Sequence, residues 1–116
     1  MKYLWLLVLL LISCVGAQRS GATAVGFTSQ ASLESHFRKH RRDFPGLTLQ
    51  AYLRKAQELR DAPLGNSILE GTRRDTVITR YHKRERTFVA FNRDRRIRTF
   101  FKPNDGEAYF WRQLRP

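Results

Sequence analysis

SILEGTRRDTVITRYHKRERTFVAFNRDRRIRTFFK, the stretch from Ser67 to Lys102, decides the fold. It holds four short runs rich in β-branched and aromatic residues, at Ile68–Thr72, Thr76–Tyr81, Thr87–Asn92 and Ile97–Lys102. Charged turns of about four residues separate them, at Arg73–Asp75, His82–Arg86 and Arg93–Arg96. Links this short join neighbouring strands as hairpins, so the sheet is antiparallel. Upstream the period changes to that of a helix. Thr28 or Ser29 caps a helix running to about Arg42, with Leu33 and Phe37 as its apolar stripe, and Pro45-Gly46 ends it. Thr48 caps a second, from Leu49 to Asp61, with Leu49, Tyr52, Leu53, Ala56 and Leu59 on one face. Ala62-Pro63-Leu64-Gly65-Asn66 breaks the chain before the sheet, and Asp105-Gly106 opens a short terminal helix carrying Tyr109, Phe110 and Trp111. The expected fold is α+β: two N-terminal helices packed on a four-stranded antiparallel sheet, with a short C-terminal helix.

The chain has 116 residues, enough for one small domain, and carries 22 Lys+Arg against 10 Asp+Glu for a net charge of +12. Such an excess selects anionic partners: nucleic acid, anionic lipid or an acidic protein. One cysteine excludes an internal disulfide framework and any multi-cysteine metal site. Met1-Lys2 followed by an apolar run from Tyr3 to Ile12 reads as a secretory leader, too short to span a bilayer comfortably. Two processing routes are open. Leu11-Ile12-Ser13-Cys14 resembles a lipobox, and the only cysteine stands where a lipid anchor needs it; Val15-Gly16-Ala17 also permits cleavage before Gln18. The expected organisation is a signal peptide over 1–17, a flexible tether over 18–26 and one domain over 27–116.

Two clusters carry chemistry. Ser35-His36-Phe37-Arg38-Lys39-His40-Arg41-Arg42-Asp43-Phe44 packs two histidines and four cations into one helix end, and helical spacing lays His36, Lys39, His40 and Asp43 along one strip. Histidine is the natural proton carrier near neutral pH, and a neighbouring cation stabilises charge developing on phosphate oxygens. The combination suits RNA cleavage without a metal: a base takes the ribose 2′-hydroxyl proton, the oxygen attacks the adjacent phosphate, and an acid protonates the leaving 5′-oxygen. A solvated helix end whose cations complement the helix dipole accounts for the same residues. His36 and His40 also have zinc-ligand spacing, but Phe37 replaces the glutamate of the His-Glu-x-x-His pattern and the cations repel a dication. The second cluster is Arg96-Ile97-Arg98-Thr99-Phe100-Phe101-Lys102-Pro103. Alternation places Arg98, Phe100 and Lys102 on one face, with Ile97, Thr99 and Phe101 on the other. Mixed cations and rings on a strand bind single-stranded nucleic acid, the cations at phosphates and the rings on bases. Arg80, beside Tyr81, is a further candidate phosphate contact.

His36-Phe37-Arg38-Lys39-His40, then Asp43-Phe44, with a helix and four strands ending in Ile97-Arg98-Thr99-Phe100-Phe101-Lys102-Pro103, resembles the C-terminal nuclease domain of colicin D and similar bacterial toxin tips. These belong to the barnase–EndoU–colicin–RelE group of metal-independent RNases. The resemblance covers about residues 27 to 113. It implies cleavage of RNA, tRNA among the substrates, with the catalytic histidine at His40, its neighbouring lysine at Lys39 and the late-strand hydroxyl at Thr99. His36 receives no catalytic role from it. The chain departs from the pattern where Pro45 precedes Gly46, where Phe37 replaces a second lysine, and where hairpin glycines near Arg74 and Arg95 are missing.

The leading expectation is an exported small endoribonuclease, a toxin or a scavenging nuclease, secreted or anchored through Cys14. His40 is its general acid or base. Lys39 and Arg98 stabilise the transition state, Thr99 hydrogen-bonds the phosphate, and His36, Arg38, Arg80, Phe100 and Lys102 bind substrate. Expected partners are RNA, a membrane reached through the Cys14 lipid and an acidic inhibitor protein, with the chain itself a monomer; no cofactor and no metal are expected. The rival expectation is a non-catalytic basic lipoprotein that binds anionic polymers or lipid through the same charge.

Overall fold

The computed structural model describes residues 25–65 and 67–116; the leader, Cys14 and nearly all of the tether lie outside them. Helix α1 spans Gln30–His40 and is capped by Ser29, whose side chain accepts from the Ser32 backbone N–H at 3.0 Å. A single 3₁₀ turn, Arg41–Asp43, continues it. Helix α2, Leu49–Asp61, is capped in the same way by Thr48. Strands β1 (Ile68–Thr72), β2 (Ile78–His82), β3 (Thr87–Phe91) and β4 (Ile97–Phe101) pair antiparallel in chain order, and helix α3 (Glu107–Gln113) follows. The fold is the expected α+β arrangement.

The sheet separates two apolar layers. On one side Leu33 of α1 and Tyr52, Ala56 and Leu59 of α2 meet Val89, Phe91, Ile97 and Phe100, joined by Phe27 and Phe44. On the other, Phe110 of α3 covers Val77, Tyr81, Phe88 and Ala90, with Phe101 and Tyr109 at the margin. Phe100 is therefore a core residue, 1% exposed, with Phe44 stacked on it and its carbonyl accepting a hydrogen bond from the Tyr52 hydroxyl at 2.5 Å. The expectation that it stacks on a base is corrected: a ring enclosed on this side has no face to offer.

Arg80 is corrected likewise. Only 8% exposed, it donates from Nε to Glu70 at 2.7 Å and from a terminal nitrogen to the carbonyls of Leu59 and Ala62. Those carbonyls are among the last of α2, left without intrahelical partners, so Arg80 caps the helix from the sheet. Its charge is spent inside the protein rather than on a phosphate. Arg60, fully buried, grips Asp61 with two hydrogen bonds of 2.8 Å and donates to the carbonyls of Val25 and Arg95. It thereby ties the start of the described chain and the β3–β4 turn to the end of α2.

Strict alternation fails in β4. Phe88, Val89 and Ala90 face Phe101, Phe100 and Thr99, but Phe91 faces Ile97, leaving Arg98 as an extra residue. This bulge lets Ile97 and Phe100, three apart, enter the same helix-side layer. Thr99 and Phe101 take the opposite side, opposite Ala90 and Phe88.

Candidate active site

The outer edge of β4 sets the site. Residues 26–28 lie along that edge: Ile97 N–H donates to the Gly26 carbonyl at 3.0 Å, and Thr28 N–H donates to the Ile97 carbonyl at 3.1 Å. Ser29 then caps α1, so the helix starts beside the bulge and runs along the strand. Four residues of helix advance about 6 Å; two residues of strand advance about 6.8 Å. The near match carries two successive helical turns past two successive same-face strand residues. His36 meets Thr99 (Nδ1 to Oγ1, 3.3 Å), and His40 stacks on Phe101 (centroids 4.8 Å apart, 19° between planes). The two imidazoles lie nearly parallel to each other, centroids 6.1 Å apart, and Phe27 stands 5.9 Å from the His36 ring.

The 3₁₀ turn completes the arrangement. It brings Asp43 back toward the helix end, its carboxylate 3.8 Å from His40 Nδ1 and accepting from the Lys102 backbone N–H at 3.2 Å. His40, Asp43, Phe101, Lys102 and Asn104 line a depression of about 180 Å³. Lys102 Nζ lies 5.5 Å from the centre of the Phe44 ring. Lys39 is exposed on α1 between the two histidines, close enough to act on both electrostatically.

Both histidines are held below the usual imidazole pKa. For His36 the main cause is burial, with the Lys39 charge adding to it. For His40 burial again leads; Asp43 opposes it, while His36 and Lys39 reinforce it. Both rings therefore favour the neutral form at neutral pH, and at His40 the Asp43 carboxylate works against that preference. Neutral imidazoles on a cationic surface can accept a proton from a bound hydroxyl and, once charged, return one. Among the described residues no group of three or more His, Cys, Asp or Glu could hold a metal ion.

The structure thus brings together His36, Lys39, His40, Thr99 and Lys102. It places the Thr99 hydroxyl on His36, where the expectation from the resemblance was a hydroxyl that hydrogen-bonds the phosphate. Arg98, exposed at the bulge, donates to Asn92 Oδ1 at 3.3 Å across the β3–β4 turn. Arg38 is exposed two residues from each histidine, about 200° around the helix from both. Asp43 and Phe101 enter the site as ring partners of His40, and Asn104 as a wall of the depression. The His40–Asp43 strip was readable from helical spacing. Asn104, set beyond the last strand, carries no periodic signal.

No family model matches this chain, and no curated protein matches it.

Proposed function

We propose that this chain is an exported, metal-independent endoribonuclease of the colicin D-like kind, cleaving RNA by attack of a ribose 2′-hydroxyl on the adjacent phosphate. The observation that carries the reading is the His40 imidazole. It is stacked on Phe101, flanked by Asp43, lowered in pKa and set among Lys39 and Lys102 on a strongly cationic chain. Acid–base cleavage of RNA needs a proton carrier poised near working pH and fixed positive charge where the phosphate gains negative charge. His40 moves a proton, Lys39 and Lys102 hold the phosphates on either side, and Arg98 extends the cationic strip along the β4 edge. The attacking and leaving groups are both oxygens of the RNA itself, so the chemistry needs no cofactor.

Incubation with total tRNA, with and without chelator, tests the reading. The expected products end in 2′,3′-cyclic phosphate or 3′-phosphate, are indifferent to chelator, and fall about 10²–10⁴-fold in rate in His40→Ala. Tight RNA binding with no cleavage rejects the enzyme, and cleavage lost to chelator and restored by a divalent metal rejects the metal-independent mechanism.

Export belongs to the same proposal. Leu11-Ile12-Ser13-Cys14 supports a lipid anchor at Cys14, and among the described residues no helix is long and apolar enough to cross a membrane. Cys14→Ser is expected to abolish lipid labelling; an N-terminus at Gln18 with unchanged membrane retention would reject the anchor.

A further inference from the structure

The contact between His36 and Thr99 sits one helical turn from the proposed catalytic histidine. Resting on the endoribonuclease reading, we propose that His36 is a second catalytic residue, the base that takes the 2′-hydroxyl proton, and that Thr99 is its positioning residue. Each imidazole turns Nδ1 toward the protein: His36 to the Thr99 hydroxyl at 3.3 Å, His40 toward the Asp43 carboxylate at 3.8 Å. That leaves Nε2 of each ring outside these contacts, and the rings are 6.1 Å apart and nearly parallel. In-line displacement at phosphorus puts the attacking and leaving oxygens on opposite sides of one atom, so an acid and a base are needed at two separate points. Two parallel imidazoles on successive helical turns supply two such points from one rigid element.

The surrounding groups divide the roles. On α1, Lys39 stands close to both rings; on β4, the group meeting His36 is the uncharged Thr99 hydroxyl; from the chain start, Phe27 adds an apolar wall. His40 has in addition the Asp43 anion, with Lys102 across the depression. The anion favours the protonated form of His40, the form an acid must start from, and the Lys39 cation with no anion to oppose it favours the neutral form of His36, the form a base must start from. In the step, His36 Nε2 takes the 2′-hydroxyl proton as the 2′-oxygen bonds to phosphorus. The bond from phosphorus to the 5′-oxygen breaks, and that oxygen takes the proton of His40 Nε2. A 2′,3′-cyclic phosphate and a 5′-hydroxyl result, with His36 protonated and His40 neutral; exchange with water resets both. Thr99 fixes the His36 ring so that Nε2 faces the ribose.

The test compares two substrates. One is RNA, whose 5′-oxygen must be protonated to leave. The other is uridine 3′-(4-nitrophenyl phosphate), whose nitrophenolate leaves without an acid. His36→Ala is expected to lose about 10²–10⁴-fold on both. His40→Ala is expected to lose as much on RNA and to approach the unaltered protein on the nitrophenyl ester. His36→Gln, which retains bulk and an amide for Thr99, guards against a folding defect and is expected to behave as His36→Ala. Thr99→Val is expected to lower kcat with KM unchanged, and Thr99→Ser to restore it. His36→Ala or His36→Gln cleaving RNA within a few-fold of the unaltered protein, while His40→Ala is dead, overturns this inference and leaves the endoribonuclease standing. Inactivity of the unaltered protein on both substrates overturns both.

Discussion

The two imidazoles differ from ordinary surface histidines in a way that fixes a pH response. Both are lowered, first by burial, so under the roles proposed the protein needs His36 neutral and His40 charged in a window on the acid side of about 6.5. As pH rises through the lowered value of His40 the acid is lost; as pH falls through that of His36 the base is lost. The kcat/KM profile is expected to be a bell centred below about pH 6.5, and Asp43→Asn to move its alkaline limb further down, since the carboxylate is what favours charged His40. A profile rising steadily beyond neutrality would contradict both assignments. A different residue-scale feature bears on stability. Thr76, Arg86 and Arg95, one at each hairpin, hold φ of 73°, 61° and 78°, in the left-handed region that favours glycine, and Thr76 and Arg95 lie near the two positions where hairpin glycines are missing. The turns thus keep their geometry without the residue that suits it. Arg95 is compensated by an ion pair with Asp61 at 2.6 Å, and the Arg86 guanidinium lies against Gly106, but exposed, β-branched Thr76 gains no comparable anchor. A left-handed L-residue costs roughly 1–2 kcal/mol, and glycine gives back part of this in chain entropy. Thr76→Gly is expected to stabilise by about 0.5–1 kcal/mol in urea unfolding; a loss of stability would show the turn to be unstrained.

Among the elements, α2 and β2 are coupled through Arg80. Removing the guanidinium leaves the Leu59 and Ala62 carbonyls without its donor and frees the exposed Glu70 carboxylate to water. Arg80→Met is expected to destabilise by about 1–3 kcal/mol, chiefly from the α2 carbonyls left without a donor, since Glu70 is exposed enough to be solvated, while leaving RNA affinity at matched folded fraction unchanged. Weaker binding with an unaltered melting temperature would restore Arg80 to the nucleic-acid surface. This arginine also shows why part of the site was illegible. A cation on a predicted strand reads as surface, and nothing local to Thr79-Arg80-Tyr81 announces that the end of α2 will lie over it. The strands, both long helices and the helix-side residues Leu33, Tyr52, Ala56 and Leu59 were legible because caps and apolar periods are local signals. The bulge at Arg98 was not, since it is a property of pairing between strands, and it puts Ile97 on the side of Phe100 and away from Thr99. Arg60 was hidden for the same reason: its partners, Val25 and Arg95, are 35 residues away on either side.

For the whole molecule, charge and its placement govern affinity. The chain carries +12, and loss of the leader would remove only Lys2 from that excess. Some of it is unavailable to a ligand: Arg60 and Arg80 are buried, and Arg73 and Arg112 are paired with Asp75 and Asp105. The remainder includes Lys39, Lys102 and Arg98, all exposed on α1 and the β4 edge on the side of the histidines, while Arg38, also exposed, faces away from them on α1. A single strand lying across this strip displaces counterions at each phosphate it neutralises, so log affinity is expected to fall linearly with log salt, at about 0.7 per phosphate contacted. Non-cleavable 2′-deoxy oligonucleotide isolates this term from chemistry. Lys39→Gln and Lys102→Gln are each expected to weaken binding across all sequences and to reduce the slope by about 0.7. Arg80→Met, measured well below its melting temperature, is expected to leave the slope where it was, because its charge already faces Glu70 and two carbonyls. Equal slopes in all three variants would mean that the strand binds elsewhere on the cationic surface, and the histidines would lose their claim to the scissile phosphate.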